Sequence, residues 1–144
     1  MTIYFDKSVL LPALVETHPH HDRCFQHFEK ILSKKSTGLI SQHVLLEIYS
    51  AGTMMPVKPR VSGSHMVELV RRSIIPYFQL VTLSATDISK VLQSAADLGV
   101  TGGNLYDLYH IHHALKGKAD VILTNNLRDF RHLAAGMKIR VEVP

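Results

Sequence analysis

Residues 100–130, VTGGNLYDLYHIHHALKGKADVILTNNLRDF, constrain the fold more than any other stretch. Thr101, Gly102 and Gly103 break the chain, and Asn104 is placed to cap a helix starting at Leu105. That helix is expected to end near Lys116, with Gly117 as a left-handed stop. Val121–Leu123 is a short β-branched and aliphatic run that reads as a buried strand. It delivers Thr124, Asn125 and Asn126 to the point where that strand ends. A carboxylate, Asp107, near the helix start and a polar cluster at a strand's carboxyl end mark one side of an open α/β sheet.

The same alternation recurs along the chain. Residues 3–5, 38–41, 78–83 and 139–143 read as further strands. Helices are expected over residues 9–16 with Ser8 as cap, 22–34, 43–51, 64–74 and 127–133. One more opens on a Ser84/Asp87 capping box and closes at Gly99. Residues 52–62, with Pro56 and Pro59, are the longest irregular stretch. Strands separated by one or two helices require crossover connections. The expected fold is therefore α/β, a mostly parallel sheet covered by helices on both faces.

At 144 residues the chain is expected to form a single domain spanning residues 1–144. Cys24 is its only cysteine, so no intrachain disulfide forms. No run approaches the roughly 18 apolar residues of a membrane span, and the N-terminus lacks the basic start of a secretory signal. A cytoplasmic protein without a membrane partner is expected. The net charge of +4, with basic groups at Lys34/Lys35, Lys58/Arg60, Arg71/Arg72 and Arg128/Arg131, suits a polyanionic partner.

In a parallel sheet all carboxyl ends share one edge. Asp6 and Asn126 both follow strands and fall there, and Asp107 and Glu47 sit on helices that reach it. Three carboxylates and one amide thus converge from four segments. Like charges repel unless a cation lies between them. All-oxygen ligands select a hard divalent ion, Mg²⁺ or Mn²⁺. Such an ion acidifies a bound water and neutralises a phosphate in transit, so the pattern points to metal-dependent phosphodiester hydrolysis.

Each residue also has a purely structural role open to it. Asp6 suits a turn or cap, Glu47 a solvated helix face, and Asn126 a turn. Asp107 at its helix N-terminus is worth roughly 0.3–1 kcal/mol through the dipole alone. His18, His20 and His21 crowd one turn, while His110, His112 and His113 lie on the central helix. His110 and His113, one turn apart, have the spacing to share a transition metal. With no cysteine nearby and no HExxH pattern, packing and surface roles are the better reading.

The ordered set of motifs resembles PIN domains, and within them the VapC-type ribonuclease toxins. It comprises YFDKSVL with Asp6, HPHH from His18, SQHVLLEIYS with Glu47, TGGNLYDL with Asp107 and ADVILTNNLRDF with Asn126. The resemblance implies a five-stranded parallel sheet and Mg²⁺- or Mn²⁺-dependent cleavage of an RNA substrate. It also implies a homodimer and a cognate antitoxin, as in a type II toxin–antitoxin system. By matched position Asp6 and Asp107 are the principal metal ligands and Glu47 the third acid, with Ser8 and Thr124 as bordering hydroxyls. Asn126, expected to orient the water or a ligand carboxylate, departs from the fourth acid many PIN domains carry. Asp129 could compensate for that acid, although its place inside the LRDF turn reads as structural. The alternatives are a PIN nuclease of RNA processing without an antitoxin, and an inactive RNA-binding PIN domain. A signalling receiver domain is excluded, because the third strand runs into Leu83 and Ser84 rather than an acceptor Asp.

Overall fold

The computed structural model describes all 144 residues, Met1–Pro144. Five strands, β1 (Thr2–Phe5), β2 (Thr37–Ser41), β3 (Phe78–Val81), β4 (Val121–Leu123) and β5 (Arg140–Glu142), alternate with seven helices. These are α1 (Lys7–Leu14), α2 (His21–Leu32), α3 (Gln42–Met54), α4 (Gly63–Leu69), α5 (Ala85–Leu98), α6 (Asn104–Lys116) and α7 (Leu127–Leu133). The strands form one sheet in the order β3-β2-β1-β4-β5, and every pairing is parallel. No helix is long and apolar enough to cross a membrane.

β1 is central, and its alternation divides the interior. Ile3 and Phe5 point into a core shared with Val9, Phe28, Ile48 and Ile74 of the first four helical segments. Tyr4 points the other way, into a core built with Leu108, Ile111 and Phe130 of α6 and α7. Both faces of the sheet are therefore covered, which is why the central strands β1 and β4 read as continuous apolar runs. Phe5 packs edge-on to Phe78, with ring centres 5.2 Å apart, and Phe78 stacks on Phe28 at 5.7 Å. Such pairs contribute about 0.5–1.5 kcal/mol each beyond area burial.

The chain winds outward from β1 to β2 and β3, then crosses back to β4 on β1's other side. The order reverses between β1 and β4, and the crevice outside that point is where open α/β sheets bind ligands. Phe5 is in register with Leu123, and the Asp6 amide donates to the Leu123 carbonyl at 3.0 Å. Asp6 and Thr124 therefore emerge side by side.

Local signals misplaced several boundaries. Asp6, not Ser8, caps α1, its carboxylate accepting the Ser8 amide. Gly103 rather than Asn104 occupies the cap position of α6, without a side-chain hydrogen bond. α3 runs on to Met54, and the helix expected over residues 64–74 changes after Leu69 into a π-helical turn over Val70–Ile74. Gly117 is not left-handed (φ −77°); Lys118 is, at φ 56°.

Glycine is needed at 117 because α6 meets the sheet there. A Cβ would lie 2.6 Å from Leu39 Cδ1 and 2.9 Å from Val81 Cγ2. Gly117→Ala is expected to lower stability by about 1–2 kcal/mol, the overpacking cost less the backbone entropy gained by alanine. Urea denaturation checks this, and a variant as stable as the parent shows that the sheet gives way at no cost.

Candidate active site at the carboxyl edge of the sheet

Asp6 is nearly buried, at 6 % exposure. Its Oδ2 accepts from the Ser8 hydroxyl at 2.5 Å, the Thr124 hydroxyl at 3.0 Å and the Ser8 amide at 3.4 Å. All three donors fall on one oxygen, which leaves Oδ1 available to a ligand. Thr124 is itself fully buried, and its Oγ1 also accepts the Asn126 amide at 3.0 Å. The two hydroxyls expected to border the site therefore hold Asp6 and brace the loop after β4.

Asp107 lies in the first turn of α6, where the free amides favour a carboxylate. The Asn126 side-chain amide donates to its Oδ2 at 3.3 Å. Burial pushes the Asp107 carboxyl up to about 6, and the Asp6 carboxylate adds to the rise, as do those of Asp129 and Glu47. His110 opposes it. Asp107 thus lies in the field of three other carboxylates, each from a different segment.

Glu47, on α3, faces the same region through a cationic cluster. His110 Nε2 lies 3.0 Å from its Oε2, while Lys7 Nζ and His43 Nε2 lie 3.5 and 3.8 Å from its Oε1. Burial acts to raise the Glu47 carboxyl, but the His110 hydrogen bond and these neighbouring charges outweigh it and hold it low. His110 is held from behind by the Tyr4 hydroxyl, 2.8 Å from Nδ1. Burial pushes the Tyr4 phenol well above its ordinary range, so the hydroxyl stays neutral. Tyr4, His110 and Glu47 form one hydrogen-bonded line from the central strand to the third acid.

Three of the histidines singled out from sequence make local backbone hydrogen bonds. His113 Nδ1 bonds the Tyr109 carbonyl at 2.8 Å, His21 Nδ1 bonds the Pro12 carbonyl at 2.9 Å, and His18 Nδ1 accepts the His20 amide at 3.0 Å. His110 pairs not with His113 but with His43 and Glu47, whose ligand atoms all lie within 4.8 Å of one another. Lys7, Tyr4 and His43 were not singled out from sequence, and His110 was weighed only as a partner of His113. One signal was available for His110, which lies three residues after Asp107 on the same helix face.

The three acids expected to bind metal do not form such a group. Asp107 feels the charges of Asp6 and Glu47, but the one set of three potential ligands within 4.8 Å of one another is Glu47 with His43 and His110. That set offers nitrogen and oxygen, which suits a softer ion.

No curated protein matches the chain's sequence significantly. Among similar solved structures is VapBC2 from Rickettsia felis bound to a DNA fragment from their promoter, with a TM-score of 0.68 and 20 % identity, covering 100 % of this chain and 99 % of that one. VapC20 of Mycobacterium tuberculosis, a sarcin-ricin loop cleaving toxin, gives 0.69 at 13 % identity, covering 96 % and 98 %. FitAcB from Neisseria gonorrhoeae gives 0.63 at 14 % identity, covering 96 % and 95 %. At these identities the likeness establishes the shared fold. The PIN domain family profile matches residues 3–136, nearly the whole chain, and the chain belongs to the PIN-domain family.

Proposed function

We propose that this PIN domain is a Mg²⁺- or Mn²⁺-dependent endoribonuclease, the toxin of a type II toxin–antitoxin pair. The observation that carries the reading is the gathering of Asp6 and Asp107 at the sheet's switch point, Asn126 bonded to Asp107, where burial first and then the charges of Asp6, Asp129 and Glu47 raise the Asp107 carboxyl. A fold does not hold carboxylates in mutual repulsion without cost, and a divalent ion removes that cost. Asp6 through its unengaged Oδ1, Asp107 and Glu47 would hold the ion. Bound there, it supplies neutralisation of the phosphodiester's charge and acidification of the attacking water.

The protein's own groups do the rest. Ser8 and Thr124 fix the Asp6 carboxylate, and Asn126 orients that of Asp107. Tyr4 and His110 position Glu47, while Lys7 limits its net charge. His43 and His110 contact the two oxygens of Glu47, so its entry into an oxygen-only set with Asp6 and Asp107, the set that suits Mg²⁺ or Mn²⁺, requires at least one of those contacts to open. The toxin assignment draws on the neighbours, two of which are VapBC2 and the sarcin-ricin loop cleaving VapC20. A cytoplasmic homodimer and an antitoxin encoded alongside belong to the same reading. Purified protein is expected to cleave members of a structured RNA panel with Mg²⁺ or Mn²⁺ and not with EDTA. Cleavage indifferent to EDTA overturns the metal assignment.

Asn126→Asp gives a finer check. The amide brings a hydrogen bond to Asp107 but no charge to a cation. A carboxylate there is expected to lower the half-saturating Mg²⁺ or Mn²⁺ concentration several-fold at pH 8, and Asn126→Ala to raise it. At acid pH the gain shrinks, because an added carboxylate drives the Asp107 carboxyl higher still. An Asp variant that needs as much metal as the parent removes Asn126 from the site.

A further inference from the structure

Arg23 on α2 reaches the same edge from a segment the acids do not use. Its Nη2 donates to Asn125 Oδ1 at 2.7 Å. Asn125 is itself pinned: its amide donates to Ser8 Oγ at 2.9 Å and its Nδ2 to the Ser8 carbonyl at 2.5 Å. Ser8 Oγ in turn donates to Asp6 Oδ2 at 2.5 Å. A line of short hydrogen bonds therefore runs from the first acid to an exposed guanidinium, through neutral groups only.

That neutrality sets Arg23 apart. An arginine held in place is usually held by a carboxylate, which consumes both its charge and its fork of N–H groups. The chain's ion pairs involve Lys7, His43, Arg72, His110, Lys116 and Arg140, and none involves Arg23. Lys7, another cation at this edge, is taken up by Glu47. Arg23 thus keeps its full charge and most of its donors while an amide fixes its direction. Ordering the side chain in advance lowers the entropy lost when an anion binds. A phosphodiester is the anion that matches a planar guanidinium fork beside a nuclease site.

We propose that Arg23 anchors a non-scissile backbone phosphate of the RNA, and that Asn125 is its positioning residue. The inference rests on the nuclease reading, and binding without cleavage separates the two. A short single-stranded RNA is titrated by fluorescence anisotropy in EDTA over a range of salt concentrations, using the full-length protein. Arg23→Gln, which keeps a donor for Asn125 but removes the charge, is expected to raise Kd at least fivefold. It should also flatten the slope of log affinity against log salt by about 0.7, the share of one phosphate contact on a single strand.

Arg23→Lys should restore most of that slope. Asn125→Ala should weaken binding while leaving the slope near the parent's, because the charge persists unaimed. With metal, Arg23→Gln should raise KM with kcat within twofold. An unchanged Kd and slope in Arg23→Gln overturns the proposal, even where the parent cleaves RNA normally. Equal losses in the Gln and Lys variants, with a lowered melting temperature, overturn it as well, since they mark a structural role. A parent that binds RNA with the expected Arg23 dependence but never cleaves it supports this proposal and sinks the nuclease reading.

Discussion

Asp107→Asn is expected to cut RNA cleavage at least tenfold and, above about pH 6, to make the metal-free protein more stable than its parent. The two effects come from one cause. Burial and the Asp6 charge hold the Asp107 carboxyl up near 6, so at neutral pH its ionisation opposes folding. An amide of the same shape removes that opposition and, with it, a charged ligand. Asp6→Asn should be as damaging to cleavage, and Asn is the diagnostic replacement. Its side-chain oxygen can still accept from Ser8 and Thr124 and cap α1, whereas alanine forfeits a cap worth about 1 kcal/mol. Asp6→Asn should also bring the Asp107 carboxyl down, since the Asp6 charge is the largest contribution after burial. Cleavage assays on nuclease-free preparations and NMR titration of the Asp107 carboxyl measure both. Retained cleavage in either variant, or an Asp107 titration unmoved by Asp6→Asn, is incompatible with a shared site.

Divalent ions should stabilise the fold, and by more at pH 8 than at pH 5. The Asp107 carboxyl titrates near its ordinary 3.8 when unfolded and near 6 when folded. Between those values the folded state holds the extra proton, so stability falls as pH rises through the window. The loss is complete only well above 6, where the Asp107 carboxyl is fully ionised. Because a metal binds the ionised form, its affinity grows through the same window. At roughly 100 times its dissociation constant a ligand adds about 2.7 kcal/mol. Asp107 is only half-buried, so solvent screening reduces its own share. Thermal melts with Mg²⁺, Mn²⁺ or EDTA at the two pH values test this. A midpoint that ignores millimolar metal at pH 8 removes the site, and equal shifts at both pH values remove Asp107 from it.

The architecture could be read from the chain because its signals are local. Short apolar runs such as Val121–Leu123, separated by helix-length amphipathic segments, leave only parallel crossovers. Parallel strands in turn put every residue that follows a strand, Asp6 and Asn126 among them, on one edge. Helix-capping signals were read less well where a hydroxyl and a carboxylate compete for one turn. At α1 the carboxylate prevailed, since Asp6 precedes Ser8 and reaches its amide.

Which side chains meet across the edge was decided only in three dimensions. Tyr4 and His110 are 106 positions apart, and Arg23 and Asn125 are 102 apart. The spacing of His110 and His113 suggested a pair, yet the docking of α6 against β1 and α3 turns His110 to Tyr4 and Glu47 and leaves His113 on its own helix's carbonyl. Gly117 looked like a conformational stop and proved to be a point of contact with Leu39 and Val81. Sequence period sets which face of an element is apolar. The rotation and depth at which two such faces dock come from packing between residues far apart in the chain, and no local pattern encodes that.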